Sequence, residues 1–432
     1  MIISRYCKVF TDADNTDSVV LFSTKMASMI TIPKSMVDDI GQDKLSEEER
    51  GTLTRLGLLV NSQDEERLEI LGFLDDVNAS YKVFSAHLVM NLDCNLNCGY
   101  CFEGSRKGKL YMTKETAGAF VEFVRSAVGP DIQEIKITLY GGEPLLSQAM
   151  IMAVSNDINS FTQERGIKYT AMLITNGTLL TPQAVKTLEP SGVKIASVTL
   201  DGPEDVHDSS RPFKNGKGSF RIIIKNLKEV RGMISIDIGG NYTKRNYRRF
   251  PALLDGLMDE GLTPERVSSV HFYPVIQEVK GIVNRDFNDG CNSIKEPWIF
   301  EAEIFLREEV LKRGYKTSRI IPATCLMELK NRFVVNYDGT LFKCAGLIGR
   351  EDFKIGDLKT GIKDYSSTHN LNNWKNDECL NCEYLPLCFG GCRYMKFVRE
   401  GNMEGVDCKK KYLDATLEKA VMQDIKYGLA GK

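Results

Sequence analysis

From His87 to about residue 275, short apolar runs alternate with amphipathic ones, and this alternation restricts the fold more than any other feature of the chain. The runs HLVMNL, EIKITLY, YTAMLIT, KIASVTL, SIDIGGNYT and SVHFYPV have the length and composition of buried strands. Between them, KETAGAFVEFVRSAV, SQAMIMAVSNDINSFTQERG, TPQAVKTLEP, SFRIIIKNLKEVRG and YRRFPALLDGLMDEG read as amphipathic helices. Alternating strands and helices predict a parallel sheet with helical crossovers. Six such units in roughly 200 residues predict an α/β fold, a partial (β/α)6 TIM-like barrel with its chemistry just past the strand ends.

The flanks have a different character. Residues 1–85 read as a small α+β unit with strand-like RYCKVF, SVVLFSTK and MITIP. A helix is expected from Ser46, because Glu47, Glu48 and Glu49 suit a first turn; Gly57 fits its end, and LLV resumes an extended pattern. This unit resembles a winged helix. After residue 300, the helical FEAEIFLREEVLKRG leads into a cysteine-rich region closed by YLDATLEKAVMQDIKYG. The expected domains are therefore 1–85, 86–300 and 301–432, which suits a length of 432 residues. A net charge of -2 gives no electrostatic reason for a nucleic-acid or membrane partner. With no signal-like N-terminus and no run of 18 apolar residues, a cytoplasmic location is expected.

Twelve cysteines spaced as CxxxCxxC and CxxC point, in a reducing compartment, to metal or cluster ligation rather than disulfides. Only four histidines accompany them, so the metal chemistry is thiolate chemistry. Cys94, Cys98 and Cys101 follow directly on HLVMNL, which places three thiolates in one loop at the barrel mouth. Three thiolates on a four-iron cluster leave one iron free to chelate a substrate. The zinc alternative normally takes four ligands, and no further cysteine occurs before Cys291. A second group comprises Cys325, Cys344, Cys379, Cys382, Cys388, Cys392 and Cys408, for which a zinc ribbon is the competing reading.

CxxxCxxC with Tyr100 before the last cysteine resembles the signature of the radical S-adenosylmethionine (SAM) superfamily. The resemblance implies a four-iron four-sulfur cluster on Cys94, Cys98 and Cys101 that reductively cleaves SAM to a 5′-deoxyadenosyl radical. Tyr140-Gly141-Gly142-Glu143-Pro144 is similar to the family element that receives the methionine amino group, although a plain turn also fits. Thr175-Asn176-Gly177-Thr178 and Thr199-Leu200-Asp201-Gly202-Pro203 resemble elements near the ribose and the carboxylate. For Asn176 and Asp201, turn chemistry is the other reading. His207-Asp208 with Arg211 recurs in a peptide-modifying subgroup, and Arg211 suits the methionine carboxylate. The SAM contacts so implied are Tyr100, Gly141, Gly142, Glu143, Asn176, Thr199 and Arg211; no catalytic acid or base is identified.

The later cysteines, with Gly339 between Cys325 and Cys344, resemble the SPASM domain, which carries two auxiliary four-iron four-sulfur clusters. Carried over by position, Cys325, Cys344 and Cys392 hold the nearer cluster and Cys379, Cys382, Cys388 and Cys408 the farther, giving three clusters in all. An eighth cysteine of the fully ligated pattern is missing, which leaves an open iron unless Cys291 reaches it. Tyr100, Phe102 and Phe389 are expected to pack against clusters, and Phe389-Gly390-Gly391 to give the backbone freedom to wrap one. The chain resembles geopeptide-type peptide maturases, a resemblance that does not fix the chemistry. That resemblance implies a precursor-peptide partner whose leader adds a strand to the N-terminal unit, and an electron donor such as flavodoxin or ferredoxin. A structural cap is the plainer reading of that unit. The primary expectation is an intramolecular thioether cross-link. Alternatives are carbon-carbon or carbon-oxygen linkage, epimerisation, formylglycine formation by a sulfatase-maturing enzyme, and a non-catalytic metal-binding or iron-sulfur protein.

Overall fold

The computed structural model describes residues 1–11, 15–101, 103–277 and 289–429. Its N-terminal part contains β1 (Ile2–Ile3), β2 (Cys7–Thr11), β3 (Ser18–Ser23), β4 (Met29–Pro33), α1 (Lys34–Gly41), α2 (Glu47–Arg55), β5 (Leu59–Val60) and α3 (Gln63–Ser80). Strands β2, β3 and β4 form an antiparallel sheet in that order, and β1 pairs with β5. Helix α2 begins where the sequence places it, on a reciprocal cap: the Ser46 hydroxyl accepts the Glu49 N–H, and the Glu49 carboxylate accepts the Ser46 N–H. Helices α1 and α3 add to the single helix expected.

The barrel follows as β6 (Val83–Asn91), α4 (Lys114–Ala127), β7 (Glu134–Gly141), α5 (Gln148–Arg165), β8 (Lys168–Thr175), α6 (Pro182–Leu188), β9 (Val193–Thr199), α7 (Glu204–Ser210), α8 (Phe220–Val230), β10 (Ser235–Tyr242), α9 (Phe250–Asp259) and β11 (Ser269–Pro274). All six strands are parallel and adjacent in chain order. Alternate side chains such as Ile135, Ile137 and Leu139, Ala171 and Leu173, and Ile236 and Ile238 belong to one buried core with the helices. The short helix α7 was not anticipated; it stands in the segment between Asp201 and Arg211.

The remainder comprises α10 (Pro297–Lys312), β12 (Arg332–Val335), β13 (Thr340–Phe342), β14 (Gly356–Asp357), β15 (Gly361–Ile362), α11 (Asp377–Leu380), α12 (Leu385–Cys388), α13 (Arg393–Glu400) and α14 (Lys410–Lys426). Strand β12 lies parallel against β6, and β13 to β15 continue antiparallel, so one ten-stranded sheet runs from β11 to β15. The outer edge of β6, which the barrel strands leave open, thereby gains its backbone partners.

The N-terminal unit packs on the cysteine-rich region. Tyr6, Ile70 and Leu74 join Trp374, Leu380, Leu385 and Phe389 in one cluster, while Phe10, Val20 and Phe22 join Tyr384, Leu387, Leu413, Leu417 and Val421 in another. Phe389 packs between Phe73, stacked at 5.3 Å, and Trp374, edge-on at 5.1 Å. Its φ of 39° is followed by 81° and 76° at Gly390 and Gly391. Phe102 lies outside the described residues.

Candidate active site

The loop that carries Cys94, Cys98 and Cys101 is held from three neighbouring strand ends. After β7, Gly142 N–H donates to Asn91 O (3.0 Å) and Glu143 N–H to Asp93 O (2.7 Å). The Asn91 amide returns a bond to Glu143 O (3.0 Å). After β8, Asn176 Nδ2 donates to Asn95 Oδ1 and Asn95 Nδ2 to Thr178 Oγ1, both at 2.8 Å. Beyond α7, Asn97 N–H reaches Pro212 O (2.8 Å). The glycines of the β7 turn are dictated by this contact. A Cβ on Gly141, whose φ is +137°, would stand 2.2 Å from Asn91 O, and one on Gly142 2.1 Å from Asp93 O.

Glu143 is fully buried, its charge is felt at Cys94, and its carboxylate is taken up by donors of the neighbouring turns. It accepts from Thr175 Oγ1 (2.7 Å), Asn176 N (2.8 Å) and Leu145 N (3.0 Å). Burial still raises its pKa despite these donors. Asp201 is likewise buried; it accepts from the Tyr100 hydroxyl and from Asn241 N (2.7 Å), and lies 3.8 Å from Arg211. His207 supports this turn. Its Nδ1 accepts the Asp201 N–H (3.2 Å), and its Nε2 faces Ser219 Oγ (3.0 Å), which itself donates to Arg211 O. Those partners require the neutral Nε2–H tautomer, and burial lowers its pKa to about 3.

The three thiols open into a cavity of about 530 Å³. Tyr100, Gly141, Gly142, Asn176, Thr199 and Arg211 line it with them, whereas Glu143 does not. Arg211 Nη1 donates to the Tyr100 hydroxyl (2.6 Å), while its buried Nε has no hydrogen-bond partner among the described residues. Burial pushes Cys94 up to about 11 and raises Cys98. Burial pulls the Lys107 ammonium down, but the Cys101, Cys98 and Cys94 charges outweigh it and raise its pKa. Three thiols, a nearby lysine and an unpartnered arginine nitrogen fit a thiolate-held iron-sulfur cluster whose open iron carries an anionic ligand. Among the described residues, no three His, Cys, Asp or Glu side chains stand as a single-ion site.

The later thiols form two neighbourhoods. Cys325, Cys344 and Cys392 lie within one another's fields; burial first, and then these neighbours, push Cys344 up to about 12. Cys379, Cys382, Cys388 and Cys408 form the second group, in which Cys408 lies in the field of each of the other three. Cys291 is buried apart from both, in the field of Glu296 and Glu303, with its backbone bonded to Val275 and Gln277. Several cavity residues were missed in the sequence: Glu103 and Lys107 just past the cysteines, Asn241 and Tyr273 at the ends of β10 and β11, and Ala345, Gly346 and Tyr394 from the cysteine-rich region. Strand-end position was the available signal for Asn241 and Tyr273. Nothing local marks Tyr394.

Residues 88–249 match the radical SAM superfamily. The radical SAM cyclopropyl synthase TigE of Paramaledivibacter caminithermalis is 22% identical over 77% of this chain and 73% of its own length. An AdoMet-dependent heme synthase of Methanosarcina barkeri is 32% identical over 72% of this chain and 90% of that protein. Among solved structures, anSMEcpe with bound AdoMet superposes with a TM-score of 0.60 at 18% identity, covering 81% of this chain and 97% of its own. Streptococcus suis SuiB bound to the precursor peptide SuiA gives 0.53 at 16% identity, covering 94% and 98%. At these identities the two structures establish the shared fold.

Proposed function

The chain belongs to the radical SAM superfamily, and from that premise we propose that it modifies a ribosomally made precursor peptide, forming an intramolecular thioether cross-link. Cys94, Cys98 and Cys101 would hold the SAM-cleaving four-iron four-sulfur cluster, Cys325, Cys344 and Cys392 a nearer auxiliary cluster, and Cys379, Cys382, Cys388 and Cys408 a farther one. When bound, these groups supply the electron that splits SAM into a 5′-deoxyadenosyl radical and a sink for the electron released as the cross-link closes. The residues of the chain bind and orient. Arg211, through its unpartnered Nε, receives the methionine carboxylate. Gly141 and Gly142 let backbone approach the cluster loop, and Tyr100, Asn176 and Thr199 border the same space. Glu143 acts at one remove, by fixing Thr175 and Asn176.

The observation that carries the reading is the wall shared by two regions. Ala345 and Gly346, which directly follow Cys344, line the cavity opened by the first three thiols. A substrate there lies between the two thiol groups. SuiB, of similar fold, binds a precursor peptide, which supports a peptide here; the three-stranded sheet, with β2 and β4 at its edges, suits a leader added as a strand. Flavodoxin or ferredoxin would deliver the first electron.

The test is mass spectrometry of a short cysteine-rich peptide encoded beside this gene and co-expressed with the enzyme. A loss of two hydrogens per site is expected for a cross-link. An unchanged mass with an inverted stereocentre would replace the reading by epimerisation, and an aldehyde by formylglycine formation. In the reconstituted enzyme, Cys94→Ala should abolish 5′-deoxyadenosine release while iron remains on the C-terminal cysteines. Loss of all iron would refute separate clusters.

A further inference from the structure

Glu103 is 3% exposed, and neither carboxylate oxygen has a hydrogen-bond partner among the described residues. Both sit in a residue that lines the reaction cavity. A buried carboxylate without donors is costly, so a fold that keeps one beside open space leaves it a role to fill. Neither nearby cation fills it: Lys107 and Arg106 reach Glu103 only through their fields, Lys107 turns its ammonium to the Cys101 thiol, and no hydrogen bond meets either Glu103 oxygen among the described residues.

The position of Glu103 separates it from the residues assigned to SAM. Tyr140 feels the charge of Glu103 and also lies near Tyr394, whose ring packs against Gly346. Glu103 thus belongs to the wall built with the cysteine-rich region. Arg211, Tyr100, Asp201 and Asn241 bond to one another elsewhere in the site. A single amide N–H would satisfy one of two empty oxygens. An ammonium or guanidinium brings several donors and the opposite charge, and matches both.

We propose that Glu103 receives a lysine or arginine side chain of the substrate peptide and so selects peptides with a cation next to the residue to be modified. This rests on the peptide-substrate reading above. The probes are two fluorescein-labelled synthetic peptides, Ac-Gly-Lys-Cys-Lys-Gly and its norleucine counterpart, titrated by anisotropy into the reconstituted holoenzyme with SAM. Wild type should bind the lysine peptide about 10-fold or more tightly, the scale of a charge-assisted bond to a buried partner. Glu103→Gln, of the same shape but neutral, should erase the ratio, and Glu103→Asp should keep part of it. Equal affinity in wild type, including no binding of either peptide, overturns the proposal. So does a lysine preference that survives in Glu103→Gln, or loss of SAM binding in that variant, which would assign Glu103 to SAM instead. A lysine preference with no co-expressed peptide modified leaves the cation site standing and sinks the maturation reading; a modified peptide with no lysine preference does the reverse.

Discussion

Gly142→Ala tests whether the β7 turn sets the position of the cysteine loop. Gly142 has no positive φ, so the substitution acts through space alone. The new Cβ would stand 2.1 Å from Asp93 O, 2.6 Å from Asp93 C and 3.1 Å from Leu92 C. All three are backbone atoms, so no side chain can swing away, and the Asp93 peptide must retreat by about 1 Å to restore an ordinary contact. Overpacking of this kind costs about 1–3 kcal/mol, and loosening the Glu143 N–H to Asp93 O bond adds about 1 kcal/mol. Because Asp93 is joined to Cys94, the first thiol moves with it. The expected result, in anaerobic thermal unfolding with iron analysis and electron paramagnetic resonance, is a lower Tm and selective loss of the cluster at Cys94, Cys98 and Cys101. Gly118→Ala is the control: a methyl group on this exposed glycine inside α4 would meet no atom within 4 Å, so alanine should stabilise by about 1 kcal/mol. Wild-type Tm and wild-type iron in Gly142→Ala would refute the coupling.

Three further outcomes follow from other buried groups. Arg393→Met should destabilise by about 3–5 kcal/mol, because it strands the buried Glu328 carboxylate; adding Glu328→Gln should recover most of the lost Tm. Trp374→Ala removes a ring packed on Phe389 under α3 and should cost about 3–5 kcal/mol, read as a lower Tm and faster tryptic cleavage within residues 1–80. His207, held neutral by burial, has a folded pKa of about 3, below its unfolded value, so its contribution is complete above about pH 6.5 and is lost as pH falls toward 3. Between pH 7.5 and 5.5 wild type should therefore lose about 1.4 kcal/mol more than His207→Asn in paired urea melts; parallel pH curves would contradict the assignment.

The barrel was legible because a strand buried on both faces must be a short apolar run, and EIKITLY or YTAMLIT admits little else between helices. The cysteine spacing was legible for a similar reason, since CxxxCxxC is a local pattern. What was not legible depends on partners distant in the chain. Nothing in the Gly-Gly-Glu-Pro run shows that the Glu143 carboxylate takes its donors from Thr175 and Asn176, 32 and 33 residues further on. RFVV is a four-residue run among cysteines, and only the open edge of β6, some 245 residues earlier, makes it a strand. The stacking of Phe389 on Phe73 is not legible because α3, which supplies Phe73, carries no marked apolar stripe in its sequence.

The pairing of β12 with β6 also explains how two cysteine groups far apart in sequence come to share one cavity. Strand β6 ends at Asn91 and releases the loop of Cys94, Cys98 and Cys101; β12, alongside it, returns through β13 to Cys344. Lying next to each other in one sheet, the two strands bring both thiol loops to neighbouring positions without any dedicated linker. The same cysteine-rich region carries the N-terminal unit on its other contacts, through Trp374, Tyr384 and Leu387. A peptide bound to the N-terminal sheet would therefore be referred to the cavity through the cysteine-rich region rather than through the barrel helices. On the proposed function, loosening that interface should disturb peptide turnover before it disturbs SAM cleavage, since among the described residues Arg211 and Cys94 belong to neither of its apolar clusters.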